Sequence, residues 1–327
     1  MDYVRFGRSG LKVSRICLGT MTFGREANEE MSFKLMDRYV ELGGNFIDTA
    51  DLYAGGASEE IVGRWLKQRQ MRGRIILSTK VFSTTGPGPN DGGLSRYHIQ
   101  HAIEASLKRL QTDVVDLYLI HRWDANSPLE ETLETLNDVV RQGKARYIGC
   151  SNLAAWQLCK YLQASKEHLW SRFIGLQPIY NAINRGIESE LLPLCAEEGL
   201  GVMTYNPLAG GLLTGKYKRG EAMPTGARLE AFRMYYNRYY TEQAMDVVEH
   251  FGQAAQARGV TPAQLALAWL LAEPRVTCPI VGARNLEQLN DTLGGLEIKL
   301  TPEERAAIPA VPTGRWVGVD PVCDRES

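Results

Sequence analysis

The chain has little that would suit a membrane or a nucleic-acid partner. Its 327 residues carry 37 lysines and arginines against 38 aspartates and glutamates, so the formal net charge is −1. Nucleic acids and anionic membranes attract basic surfaces, which a chain so close to neutral lacks. No apolar stretch approaches the ~18 residues of a membrane span, and the N-terminus lacks the pattern of a signal peptide. We therefore expect a cytoplasmic protein without nucleic-acid or membrane partners.

Cysteine is scarce, and several motifs of other enzyme classes are missing. The cysteines form no C-x-x-C pair, and none lies at zinc-ligand spacing from a histidine, so we predict reduced core thiols and no metal site. No G-x-S-x-G elbow is present, which disfavours a Ser–His–Asp hydrolase. No G-x-G-x-x-G turn follows the first apolar run, which disfavours a doubly wound sheet. The cysteines are Cys17, Cys150, Cys159, Cys195, Cys278 and Cys323.

What the sequence does contain is an alternation of short apolar runs with longer segments of helical spacing. Runs rich in Val, Ile and Leu are typical of parallel strands that helices cover on the outside. Eight such runs predict strands at 16–23, 45–49, 75–80, 114–121, 147–150, 173–177, 201–205 and 276–281. Apolar residues at i, i+3 and i+4 predict helices at 31–42, 58–67, 99–110, 129–140, 154–164, 189–197, 241–258, 262–272 and 286–293.

No polar linker divides this alternation, so we predict one α/β domain over residues 1–327, a closed (β/α)8 TIM barrel. One long irregular connection is expected at about 207–240, with a glycine-rich start and a tyrosine-rich end. Connections of that length are usually functional lids or disordered segments, and the composition favours a lid.

Three ionisable residues lie at the ends of the predicted strands and a fourth just beyond one of them, where a barrel gathers its active site. They are Asp48, Tyr53, Lys80 and His121, and we refer to them as the tetrad. A free tyrosine has a pKa near ~10, and we expect the ammonium group of Lys80 to lower it in Tyr53. Asp48 can balance the charge of Lys80, while His121 can direct a substrate carbonyl. The set suits protonation of an oxygen that becomes alkoxide-like as hydride arrives, although each residue alone is more often structural.

These motifs resemble the aldo-keto reductase family. The likeness covers most of the chain, from 3–7 to 282–284, and includes DTADLY at 48–53, STK ending at Lys80 and LIH ending at His121. It implies catalysis by the tetrad, with Tyr53 as the general acid. The segments SNLAAWQL and YNPLAGGLLTGKY resemble the bacterial, plant and potassium-channel β-subunit branch. Oligomers are common in that branch, so a homo-oligomer is left open.

The resemblance also implies an NADPH site. Ser151, Asn152 and Gln177 would hold the nicotinamide carboxamide, Tyr205 would stack on the ring, and 206–216 would wrap the pyrophosphate. Arg284 suits a 2′-phosphate, because its planar fork pairs two oxygens, which favours NADPH over NADH; a solvated helix-start residue is the alternative. The residues expected at the cofactor are Gly19, Thr20, Met21, Asp48, Ser151, Asn152, Gln177, Tyr205, Asn206, Pro207, Leu208, Gly210, Lys216, Gly282, Arg284 and Gln288.

A substrate pocket is expected among aromatic and basic residues near the same strand ends. The candidates are Phe23, Tyr53, Phe82, His121, Arg122, Trp123, Tyr235 and Tyr236. An aromatic mouth suits a flat or apolar carbonyl compound. The aromatic residues either line this pocket or pack the loops, and Arg122 either meets an anionic substrate group or is a surface charge.

Three functions remain open. The first is NADPH-dependent reduction of aldehydes or ketones by an oxidoreductase. The second is oxidation of a sugar or secondary alcohol, because the chemistry is reversible. The third is a regulatory subunit that binds NADPH as a redox sensor and turns over slowly.

Overall fold

Eight parallel strands close into a barrel in the computed structural model, which describes residues 1–308 apart from the side chain of Met234. Each strand pairs with the next, and the last closes on the first through Ile280 opposite Cys17. This confirms the predicted (β/α)8 barrel. A hairpin, β1 Tyr3–Arg5 and β2 Lys12–Ser14, precedes the barrel strands β3 Cys17–Gly19, β4 Phe46–Asp48, β5 Ile76–Val81, β6 Val115–Ile120, β7 Ala145–Ser151, β8 Phe173–Gln177, β9 Gly201–Thr204 and β10 Cys278–Val281.

Helices surround this barrel, and every predicted helix is present. A capping box begins α10, where Thr261 accepts from the Gln264 N–H and Gln264 accepts from the Thr261 N–H, both at 3.2 Å. Pro262 occupies the first turn, where its missing N–H leaves no helical hydrogen bond unmade. The helices are α1 Glu29–Glu41, α2 Ala57–Gln68, α3 Arg96–Leu110, α4 Leu129–Arg141, α5 Ala155–Glu167, α6 Leu191–Glu198, α7 Arg228–Ala231, α8 Arg233–Tyr239, α9 Glu242–Ala257, α10 Pro262–Leu271, α11 Leu286–Leu293 and α12 Pro302–Ala306.

The loop of the N-terminal hairpin carries Phe6, whose side chain fills one end of the barrel. Phe6 is completely buried and lies edge-on to Phe46, with ring centroids 5.8 Å apart. Added Cβ atoms at Gly175 and Gly201 would come within 2.3 and 2.8 Å of the Phe6 ring. These glycines therefore make room for the ring, which fills the space between the strands. The hairpin was not predicted, because three-residue strands are too short to show a period.

The connection between β9 and α9 is more regular than predicted. It begins with a 3₁₀ helix at Ala209–Thr214 and continues through α7 and α8. Tyr235 of α8 packs over Gly210, where an added Cβ would lie 2.9 Å from the ring. Tertiary packing stabilises these short helices, and such packing leaves no local signal in the sequence.

The predictions about membrane spans and about cysteines can be compared with the structure. Among residues 1–308, no helix is both long and apolar enough to span a membrane. Four cysteines are buried thiols, as predicted for core residues, whereas Cys159 is exposed on α5. Cys323 lies outside the described residues.

Candidate active site

The tetrad meets at the C-terminal end of the barrel. Asp48 is the last residue of β4, Lys80 lies near the end of β5, and His121 directly follows β6. The Nζ atom of Lys80 lies 2.6 Å from Asp48 Oδ2 and 3.2 Å from Tyr53 Oη. The rings of Tyr53 and His121 meet edge-on, with centroids 6.1 Å apart. Three neighbouring strand ends thus bring the four side chains into one cluster.

The Lys80–Asp48 ion pair is buried and fully hydrogen-bonded. Lys80 is completely buried, and Nζ also donates to the carbonyl of Thr49 at 2.7 Å. The second oxygen of Asp48 accepts from Ser78 Oγ at 2.7 Å and from Gln177 Nε2 at 3.0 Å. Buried charges are tolerated when such partners satisfy them. The network therefore fixes the position of the ammonium group beside Tyr53.

The electrostatics of the tetrad differ in one respect from the sequence prediction. Burial raises the pKa of Tyr53 above its usual value, and this outweighs the opposing effect of the Lys80 ammonium. The expected net lowering of the Tyr53 pKa was wrong, because desolvation penalises the phenolate. Burial lowers the pKa of Lys80, but the charges of Asp48 and Tyr53 outweigh it and leave the pKa raised. The tetrad therefore holds a protonated phenol beside a permanent cation.

His121 is kept neutral by its surroundings. Burial, and then the positive charges of Lys80 and Arg122, lower the pKa of His121 well below its usual value. Its backbone N–H donates to the carbonyl of Val81 at 2.9 Å, which anchors the residue at the strand end. A neutral imidazole in this place can donate one N–H to an uncharged carbonyl oxygen.

An unusual turn carries Tyr53. The 3₁₀ segment Tyr53–Gly56 contains three consecutive residues with positive φ, at 51°, 63° and 95° for Ala54, Gly55 and Gly56. An added Cβ at Gly56 would lie 2.8 Å from Cδ of Arg109. Position 56 therefore needs glycine for both its backbone and its packing.

A cavity of about 740 Å³ opens beside the tetrad. Tyr53 and His121 line it, together with Arg122 and Tyr235, while Lys80 lies behind its wall. Every residue expected at the cofactor also lines it: Gly19, Thr20, Met21, Asp48, Ser151, Asn152, Gln177, Tyr205, Asn206, Pro207, Leu208, Gly210, Lys216, Gly282, Arg284 and Gln288. The structure thus brings together residues from all eight barrel strand ends or the loops that follow them.

A hydrogen-bonded set of amide and hydroxyl groups lies next to His121. Tyr205 Oη donates to Asn152 Oδ1 at 2.8 Å, and Asn152 Nδ2 donates to the carbonyl of His121 at 3.1 Å. Ser151 Oγ donates to the carbonyl of Gln177 at 2.7 Å. These contacts fix polar groups on the cavity wall in single orientations, which is what recognition of an amide requires.

Another part of the cavity is basic and has a glycine-rich backbone. Burial, followed by the charges of Arg284 and Arg228, lowers the pKa of Lys216, so these three cations lie within electrostatic reach of one another. The 3₁₀ segment Ala209–Thr214 has positive φ at its first three residues, and two of these are glycines, which let a ligand approach the backbone closely. Nδ2 of Asn206 is buried without a hydrogen-bond partner among the described residues. This donor set suits a phosphorylated ligand.

Comparison with known proteins identifies the family. The model of the Aldo/keto reductase family matches residues 15–312. The chain belongs to this family. It is 42% identical to the uncharacterized oxidoreductase YrpG of Bacillus subtilis (strain 168), over 93% of both chains. It is 39% identical to a probable voltage-gated potassium channel subunit beta of Arabidopsis thaliana, over 92% of this chain and 94% of the relative. It is 35% identical to versiconal hemiacetal acetate reductase of Aspergillus parasiticus, over 93% and 95%.

Two residues that were predicted to line the substrate pocket of this aldo/keto reductase do not line the cavity. They lie on loops that follow barrel strands. Phe23 was expected at the end of the first strand, but β3 ends at Gly19 and the chain then turns. Phe23 forms a bridge with Ala27 and is completely buried. Phe82 lies beneath the guanidinium of Arg122, 4.3 Å from its Cζ, and supports that side chain. Both aromatic residues pack loops, the alternative that the sequence left open.

Two further aromatic residues also pack against neighbours and do not line the cavity. Trp123 meets the rings of Trp156 and Tyr161, with centroids 5.6 and 5.7 Å away. Tyr236 stacks on Tyr240 at 5.0 Å and is 37% exposed. Of the two neighbouring tyrosines, the one that lines the cavity is Tyr235. The packing of α8 determines which of these two consecutive residues faces the cavity, and the sequence alone does not show how that helix packs.

The cavity also contains residues that were not predicted. Arg228 and Phe232 come from α7 and the residue after it, whose positions could not be foreseen in an irregular connection. Arg228 pairs with Glu26 at 3.3 Å and so links the connection to the loop after β3. Thr292, for which no role was predicted, also lines the cavity. It lies one helical turn after Gln288 on α11, a spacing that could have identified it.

Proposed function

We propose that this aldo/keto reductase reduces aldehydes or ketones to alcohols with NADPH, and that Tyr53 donates the proton. The observation that carries the proposal is the Tyr53 hydroxyl, which lines the cavity 3.2 Å from the buried Nζ of Lys80. A phenol is a weak acid, and a fixed cation beside it stabilises the phenolate that remains after proton transfer.

Each tetrad residue has a role in this chemistry. When bound, NADPH supplies the hydride that reaches the carbonyl carbon. Tyr53 gives its hydroxyl proton to the oxygen, and Lys80 stabilises the resulting tyrosinate. Asp48 keeps Lys80 charged and in place through the 2.6 Å contact. Neutral His121 donates to the carbonyl oxygen and thereby orients it toward Tyr53.

The same lining supports the choice of cofactor. Ser151, Asn152 and Gln177 would hold the nicotinamide amide group beside the tetrad. Lys216 and Arg284 would bind the phosphate groups, because their positive charges share one part of the cavity with a glycine-rich backbone. Arg284 would contact the 2′-phosphate, which makes NADPH the preferred cofactor over NADH.

The substitution Tyr53→Phe tests the proposal. It removes the hydroxyl and keeps the ring, so turnover of 4-nitrobenzaldehyde should fall by roughly 10²–10⁴-fold, the usual contribution of a general acid. NADPH binding, followed by the change in nucleotide fluorescence, should remain within about twofold. Undiminished turnover in the variant would reject the assigned mechanism.

A regulatory role is a second candidate, favoured by the likeness to relatives named as potassium channel subunits beta. It predicts tight NADPH binding and very slow release of the oxidised cofactor. Single-turnover and steady-state rates measured with the same aldehyde separate the two functions. Equal rates favour the reductase, whereas a fast single turnover followed by slow cycling favours the sensor.

A further inference from the structure

Asp51 lies two residues before Tyr53 and has no part in the chemistry proposed above. Its side chain is only 2% exposed, and among residues 1–308 no side chain hydrogen-bonds to either carboxyl oxygen. Its backbone N–H donates to the carbonyl of Lys80 at 3.3 Å. A carboxyl group buried in this way is costly when it is ionised. Its place beside the Tyr53 turn and β5 links it to two tetrad residues.

Asp51 shares its buried surroundings with a second carboxyl group and one arginine. Glu59 of α2 is completely buried and accepts a hydrogen bond from Nε of Arg109, from α3, at 2.7 Å. Glu59 also accepts from Thr79 Oγ1 at 2.5 Å, so it is the better satisfied of the two carboxyl groups. Tyr118 of β6 adds a buried hydroxyl without a partner among the described residues. Arg109 thus faces two carboxyl groups and is held by one of them.

Burial and these neighbouring charges together determine when Asp51 is charged. Burial, and then the nearby charge of Glu59, raise the pKa of Asp51 to about 7, while Arg109, the backbone N–H of Leu52 and, least of the three, Lys80 oppose the rise. The carboxyl group is therefore neutral in mildly acidic solution and anionic in mildly alkaline solution. The charge of Lys80 contributes to this balance, so Asp51 and Lys80 are electrostatically coupled, and the coupling acts in both directions.

We propose that Asp51 is a positioning residue whose charge state tunes Tyr53 through Lys80. While Asp51 is neutral, the field of the Lys80 ammonium is available to stabilise the tyrosinate. When Asp51 ionises, a second anion within reach of Lys80, in addition to Asp48, offsets that field, and Tyr53 becomes a weaker acid. The proposal deepens the function proposed above and rests on Tyr53 as the proton donor.

The pH profile of aldehyde reduction tests this coupling. We expect kcat/KM for 4-nitrobenzaldehyde, measured with saturating NADPH, to fall by roughly three- to tenfold as pH rises through about 7 in the natural chain. Asp51→Asn keeps the shape and stays neutral, so its profile should remain flat across that interval. The matched control is Asp113→Asn, which removes one exposed carboxylate elsewhere and should follow the natural chain. A fall of the same size in Asp51→Asn would overturn the proposal.

Thermal unfolding of the cofactor-free protein gives a second readout that does not need activity. A carboxyl group whose pKa is higher in the folded than in the unfolded state makes the fold less stable as pH rises between the two pKa values. For Asp51 these are near ~4 in the unfolded chain and about 7 in the folded protein. The Tm of Asp51→Asn relative to the natural chain should therefore increase between pH 5 and pH 8, and then level off. The cost of placing an amide there does not vary with pH. A constant Tm difference would overturn the role of Asp51.

The two readouts separate this proposal from the proposed function. If Tyr53→Phe keeps full turnover, the proposed mechanism fails, while the pH-dependent Tm difference still reports the ionisation of Asp51. If the Tm difference varies with pH and kcat/KM does not differ between the natural chain and Asp51→Asn, the coupling to Tyr53 is refuted and the reductase remains.

Discussion

At the scale of single residues, the contact between Lys80 and Asp48 organises the site. The two side chains lie 2.6 Å apart, and both are almost entirely withdrawn from water. Desolvation of two charges offsets much of their attraction, so such a pair contributes little net stability. Its value lies in position, because it fixes an ammonium group 3.2 Å from the Tyr53 hydroxyl.

Separate measurements of stability and turnover can test this view. Lys80→Met leaves the Asp48 carboxylate buried without its cation, so the free energy of unfolding should fall by about 3–5 kcal/mol. The double variant Lys80→Met/Asp48→Asn removes both charges and should recover most of that loss. Turnover should be lost in both, because neither contains the ammonium group. Urea unfolding and NADPH oxidation are the two measurements, and equal destabilisation of the two variants would contradict the argument.

The tetrad was predictable because each strand-end position has a chemical type and a place in the barrel. A residue at the C-terminal end of a barrel strand lies at the mouth, whatever the loops do. The direction in which the pKa of Tyr53 shifts was not predictable, because it depends on how far burial outweighs one neighbouring charge. Burial of that kind comes from packing around the whole cavity, which no spacing of residues records.

At the scale of elements, the turn after β4 positions Tyr53. Its backbone takes positive φ at three successive residues before α2 begins. Arg109 from α3 packs against this turn and also binds Glu59 of α2. The turn is therefore held by the two helices that follow β4 and β5.

Two alanine substitutions distinguish backbone strain from packing in this turn. Gly55 has φ of 63° and open space around it, so Gly55→Ala should cost about 1 kcal/mol from the backbone alone. Gly56 has φ of 95°, and a new Cβ would collide with Arg109 at 2.8 Å. Gly56→Ala should cost about 2–4 kcal/mol and lower turnover further by displacing Tyr53. Unfolding free energies and kcat/KM report the two effects, and equal costs in both variants would disprove the packing contribution.

Element boundaries show where sequence reasoning succeeded and where it failed. Short apolar runs predicted the barrel strands, and longer segments with a helical period predicted the surrounding helices. The first strand was extended too far, to Phe23, because an apolar run does not show where the chain leaves the sheet. The helices α7 and α8 were missed because they are short and depend on contacts such as Tyr235 with Gly210. Loop residues were therefore the least predictable part of the pocket.

At the scale of the whole molecule, the two ends of the barrel have different tasks. Phe6 fills the N-terminal end and packs against Phe46 inside the strands. The opposite end is open and carries the 740 Å³ cavity. The contact between Arg228 and Glu26 joins the connection after β9 to the loop after β3 across this open end. A ligand that binds there touches elements distant in sequence, so it should stabilise the entire fold.

Because a bound cofactor stabilises the folded state, the preference for one cofactor can be measured as a difference in the rise of Tm. A ligand at 100 times its Kd stabilises the folded state by about 2.7 kcal/mol, so saturating NADPH should raise Tm by several degrees. NADH at the same concentration should raise it less, because it offers Arg284 no 2′-phosphate. In Arg284→Ala the NADPH shift should shrink to the size of the NADH shift, which itself should hardly change. The control Arg258→Ala removes an arginine that pairs with Glu304 outside the cavity lining, and it should retain the full difference. Equal shifts by both nucleotides in the natural chain would show that Arg284 does not select the cofactor.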